Sequence, residues 1–111
     1  MRNWYKGLES RYSTLPKEIQ ILNLVSDLNK AKNMADVDHD VFKNHLFGAI
    51  ILLDYIIADP KWKGKLRELL RLREAIGSLI FLEEPYGSIE QVITAALLME
   101  PKSYKALRKP Q

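Results

Sequence analysis

Between residues 35 and 45 the chain reads ADVDHDVFKNH, which sets Asp36, Asp38 and Asp40 beside both of its histidines, His39 and His45. Carboxylates and imidazoles at this density can ligate a metal ion or work as a general acid and base. The spacing argues against both. A carboxylate-bridged di-iron bundle takes a Glu-x-x-His pair from each of two helices. The nearest match here, Asp36-x-x-His39, occurs once and starts ahead of the helix. His39 and His45 lie about 240° apart around a helix axis, so they diverge. The residues fit a helix start instead. Asp38 is a good N-cap, Val37 and Phe42 occupy the two positions of a hydrophobic staple, and Asp40 sits where the helix dipole favours negative charge. No metal and no cofactor are expected.

The adjacent His39 and Asp40 resemble the dyad of HD-type phosphohydrolases, but that site needs further histidines upstream, and the sequence has none. His45 shares an apolar side with Ala49, Leu52 and Ile56, which suits a core-edge imidazole bonded to a neighbour. A general base or a pH-sensitive contact is the sharper alternative. No nucleophile elbow and no phosphate-cradling glycine loop accompany it. With no cysteine there is no thiolate nucleophile, disulfide or Cys-ligated cluster. Catalysis has no support, and a non-enzymatic protein is expected.

Three groups of residues remain as candidate contacts. Asp54 interrupts the most hydrophobic run, and Arg73 interrupts a leucine-rich stripe. An unpaired buried charge is very unfavourable, so the two are expected to form a buried polar pair across neighbouring helices, the alternative being that each reaches the rim; a ligand site formed by them is the sharper reading. The segment KWKGKLRELLRLRE, residues 61 to 74, carries six cations and two anions, whereas the whole chain is only +3. Within it Lys63, Arg67 and Arg71 recur every four residues as one outward stripe, and Lys102, Lys105 and Arg108 extend the charge into a basic tail. These are candidate phosphate or partner contacts. Trp4, Tyr5 and Tyr12 on the first helix are candidate partner-facing aromatics.

The elements that must position these groups are helical. The 111 residues suffice for one domain with one core, and a 47% hydrophobic content argues against disorder. Apolar residues recur at helical spacing, without the alternation of strands. The spacing predicts helices over about 3–13, from Pro16 to about Asn33, from Asp38 to Ala58, over about 61–83, and from Ser88 to before Pro101. Pro16 suits the first turn of the second, and a short turn is expected at 104–107. The third, apolar on nearly every side, is expected to be the most buried. The fourth is expected to bury Trp62, Leu66, Leu69, Leu70, Leu72, Ile76, Leu79 and Ile80. Ser88 and Gln91 form a capping box.

The fold class expected is therefore all-α, a single-domain up-and-down helical bundle of four to five helices spanning 1–111, with a basic tail from about 102. The N-terminus has no apolar segment of the secretory kind, and the run from 46 to 58 is short for a membrane span and carries Asp54. A soluble, cytoplasmic protein is expected, acting through a protein partner and self-associating as a homo-oligomer. The alternative is a nucleic-acid-binding protein that uses the basic helix face and tail.

Overall fold

The computed structural model describes residues 9–102. Trp4, Tyr5, Lys105, Arg108 and the expected turn at 104–107 lie outside the described residues. Every regular element among those described is helical: α1 (residues 9–13), α2 (Lys17–Met34), α3 (His39–Ala58), a 3-10 helix (Pro60–Lys65), α4 (Leu66–Phe81) and α5 (Ile89–Leu98). The chain is all-α.

Pro16 stands just before α2 as its N-cap, one position earlier than expected, with extended backbone. Its carbonyl accepts from the amides of Ile19 and Gln20 at 3.1 and 3.0 Å. Ile21, Leu24, Val25, Leu28 and Ala31 then recur at helical spacing and are all buried. The helix ends when the Val37 and Asp38 amides both turn back onto the Met34 carbonyl, at 3.0 Å each. Asp38 restarts the chain as α3: its carboxylate accepts from the amides of Asp40 and Val41 at 3.1 and 3.2 Å. Capping side chains satisfy donors that have no partner inside a helix. The staple is corrected, because Val37 stays 74% exposed and gains nothing from packing.

α3 also departs from expectation. It buries one face, Phe42, Leu46, Ala49, Leu53 and Ile56, and is not the most buried element. Only 28% of its most apolar 18-residue window is buried, although by length and composition the helix could cross a membrane. The reason is geometric. α2 and α4 supply most of the packing on α3, with the 3-10 helix adding less, and Phe47 and Asp54 on its remaining side stay exposed.

Asp59 caps the next segment by accepting from the Lys61 amide at 3.1 Å. Residues 60–65 form a 3-10 helix, so α4 begins at Leu66 and not near residue 61. α4 buries Leu69, Leu72, Ile76 and Ile80, but Leu66 and Leu70 are 45% and 44% exposed, against expectation. At α5 both halves of the Ser88–Gln91 capping box are present. The helices contact in a closed circuit: α2 packs on α3 and α5, and α4 packs on α3 and α5. Their inward residues make one cluster around Leu24, Leu46, Leu53, Trp62, Leu69, Ile76 and Ala96.

Candidate functional site

Four places in this fold bring together side chains with chemical or binding capacity. The first is a buried polar network that sequence reasoning missed. Gln20 is fully buried, and its side-chain amide donates to the Tyr12 carbonyl at 2.9 Å and to Asp59 Oδ2 at 3.1 Å. Its oxygen accepts from Trp62 Nε1 at 2.6 Å. The Tyr12 hydroxyl donates in turn to the Gln20 carbonyl. Lys61 Nζ closes the cluster, reaching the carbonyls of Ser13 and Leu15 at 2.9 and 2.7 Å and Asp59 Oδ2 at 3.2 Å. Lys17 lies over the Trp62 ring, 5.1 Å from its centroid. Burial alone would raise the Asp59 pKa, but the bonds from Gln20 and Lys61 outweigh it and hold the carboxyl below its usual range. This network ties α1, the start of α2 and the α3–α4 corner together. Every buried side-chain polar atom among the described residues is satisfied, as a structural clamp requires.

Tyr12 therefore needs correction. It is 3% exposed, its ring lies 6.0 Å from that of Tyr55, and burial, with the Asp27 charge a smaller cause, raises its hydroxyl pKa. It faces the core and not a partner. The signal for Gln20 was its place four residues before Leu24 on the apolar stripe, where a polar residue demands an internal partner.

The second place is the histidine-rich stretch. Asp38 is a cap, and the His39 ring stacks on Phe42 at 5.7 Å between centroids. Among the described residues no three His, Asp or Glu side chains converge in a way that could hold a metal. His45 is half-buried, and its charge acts on Asp27 of α2, another residue not singled out from the sequence. Burial raises the Asp27 pKa, while Lys30 and His45 pull it down by less. Gly48 leaves room for that carboxylate, since a Cβ there would sit 3.2 Å from Asp27 Oδ2.

The third place is the cationic surface. Lys63, Arg67, Arg71 and Lys102 are all exposed. Lys63 belongs to the 3-10 helix, where three residues make a turn, so it does not continue the α-helical stripe of Arg67 and Arg71. Arg71 instead lines, with Glu68, Tyr86, Val92 and Met99, a mainly apolar groove of about 330 Å³ between α4 and α5. An acid beside the base dilutes the positive field that phosphate tracking needs.

The fourth place is the face that α3 and α4 leave open. Arg73 Nε donates to Asp54 Oδ1 at 2.6 Å and a second guanidinium nitrogen reaches Oδ2 at 3.3 Å. The hydrogen bond from Arg73, joined by the charge of Asp54, raises the guanidinium pKa further. The pairing joins two helices, yet the side chains are 46% and 47% exposed, so the expected burial is corrected: both residues point along the open face. One end of that face carries Phe47 and Phe81, packed edge to face at 5.9 Å yet 42% and 72% exposed. Leu66 and Leu70 flank the other end. Comparison with protein-family models, with curated proteins and with solved structures found no match to this chain.

Proposed function

We propose that this chain is a small non-enzymatic helical protein of cytoplasmic setting that works by protein–protein contact, as an adaptor, regulator, inhibitor or assembly subunit. The circuit of helix contacts suits an up-and-down bundle, and this reading takes that arrangement. One observation carries the function: Phe47, Phe81, Leu66 and Leu70 stand exposed together around the Asp54–Arg73 pair. Exposed large apolar side chains along one face, with aromatic residues and arginine, are the composition of contact surfaces. The basic residues favour the nucleic-acid alternative less, because Glu68 accompanies Arg71 and Lys63 lies off the α4 stripe.

The test is affinity capture from native lysate, with and without nuclease. Wild-type protein is compared with Phe47→Ser/Phe81→Ser and with Lys63→Gln/Arg67→Gln/Arg71→Gln. Nuclease-resistant capture that is lost in the phenylalanine variant is the expected result. Capture abolished by nuclease and by the glutamine variant alone would replace this reading with nucleic-acid binding.

A further inference from the structure

The two contacts across the open face fix its register. Phe47 meets Phe81 and Asp54 meets Arg73, so α3 and α4 run antiparallel. Stepping one turn at a time sets Ile51 level with Gly77, and Ala58 level with Leu70. Down the face the order is an aromatic pair, an isoleucine beside a glycine, an ion pair, and then alanine with leucines. Asp54 and Arg73 are the only charges on these positions, and together they are neutral. A strongly charged partner therefore gains nothing here.

We infer that the occupant of this face is a second copy of the chain, an inference that rests on the face being a contact surface. A neighbouring anion and cation are self-complementary under a two-fold rotation. An axis lying in the interface parallel to the helices sets each α3 over the other copy's α4. Asp54 then faces Arg73 of the second copy, and Arg73 faces its Asp54. Four charges alternate in sign around a ring at the centre, and the four Phe47 and Phe81 rings gather at one end. The other face-to-face two-fold, with its axis across the helices, sets α3 on α3 and Asp54 against Asp54. Like charges in contact disfavour that arrangement, so the charge pattern selects the parallel axis.

Gly77 fits the same geometry. A Cβ built on it meets nothing within 4 Å, so no contact among the described residues requires glycine. A helix-interior glycine is nevertheless less stable than alanine by about 0.5–1 kcal/mol. In the dimer its flat surface receives Ile51 of the second copy. A symmetric contact of this kind uses the same patch on both subunits, and it covers the side of α3 that the fold leaves open.

The experiment is sedimentation equilibrium on purified wild-type protein, on Asp54→Arg, on Arg73→Asp, and on an equal mixture of the two variants. Wild-type protein is expected to dimerise reversibly. Each single reversal brings like charges together in its own dimer and should weaken association at least tenfold. The mixture pairs an all-cationic ring half with an all-anionic one and should dimerise again. Circular dichroism melts check that the exposed reversals leave the fold intact. The axis is read by oxidising Phe47→Cys with Phe81→Cys in an otherwise cysteine-free chain: a disulfide should join the two variants and not Phe47→Cys to itself. Wild-type protein that stays monomeric, or a dimer unmoved by both reversals, overturns the inference. If a monomeric wild type still captures another protein in a Phe47- and Phe81-dependent way, the contact-surface reading survives and only the second copy is wrong. If that capture is also absent, both fail.

Discussion

Replacing Gln20 with leucine tests whether the buried network holds α1 and the 3-10 corner in place. The variant keeps similar bulk but removes two donors and one acceptor from a fully buried position. Trp62 Nε1 loses its Gln20 partner and is stranded, whereas the Tyr12 carbonyl loses one bond but keeps the Leu15 amide at 3.1 Å. Stranding a buried polar group costs about 1–3 kcal/mol. Asp59 loses one bond but keeps Lys61 at 3.2 Å, so it contributes less. Extra apolar burial by leucine returns roughly 1–2 kcal/mol. The net loss is about 1–3 kcal/mol. With a urea slope of about 1.5 kcal/mol per molar for a chain of this size, the unfolding midpoint should fall by roughly 1–2 M.

The assay is urea unfolding followed by far-ultraviolet circular dichroism at several pH values. A midpoint within experimental error of wild type would refute the reasoning. The pH series adds a second check. The Asp59 pKa is depressed in the fold, so its contribution is present above the ordinary carboxyl value of about 3.9 and is lost as pH falls through the depressed one. Part of that contribution comes from Gln20, so the deficit of Gln20→Leu should narrow in acid. A coupling test completes the case: Trp62→Phe should cost less in the Gln20→Leu background than in wild type, because its N–H is already stranded there.

Asp38→Ala should lower stability by about 0.5–2 kcal/mol in the same unfolding assay, the usual worth of an N-cap; untagged wild-type protein should carry no stoichiometric transition metal by elemental analysis, and one tightly held equivalent would overturn the capping account. Asp27 has its pKa raised chiefly by burial, so the stability tied to it is complete below the ordinary carboxyl pKa and falls as pH rises through the raised value. Asp27→Asn should therefore melt higher than wild type at pH 7 and converge with it below about pH 3.9; a lower melting temperature at pH 7 would show that the charge is needed.

Helical periodicity located α2 and α5 and the caps at Asp38 and Ser88, because those signals are local. It failed on the orientation of α3 and α4, and for a physical reason. A helix that is apolar on all sides has no polar face to say which side is out, and the leucine-rich start of α4 offers two overlapping stripes. The charges held the answer. Asp54 and Arg73 looked like intrusions into buried stripes, yet each marks the outward direction of its helix. Had Arg73 been taken as the solvent side, Leu66 and Leu70 would have been placed beside it, where they lie. The 3-10 helix at Pro60–Lys65 was illegible for another reason: its first turn is set by Asp59 and by the Trp62 bond to Gln20, a partner 42 residues away.

The core is closed without Phe47, Phe81, Leu66 or Leu70. α3 meets it through Phe42, Leu46, Ala49, Leu53 and Ile56, and α4 through Leu69, Leu72, Ile76 and Ile80. Polar residues at the four exposed sites would leave those contacts in place and would reduce the tendency to aggregate. Stability of the single chain thus explains neither the exposed rings nor the leucines, and it argues against Gly77 in mid-helix. An ion pair at this exposure is worth at most about 1 kcal/mol to the fold, so it explains little of its own presence. A face built of residues the fold does not need, yet arranged around one self-complementary pair of charges, is what the proposed contact surface would require.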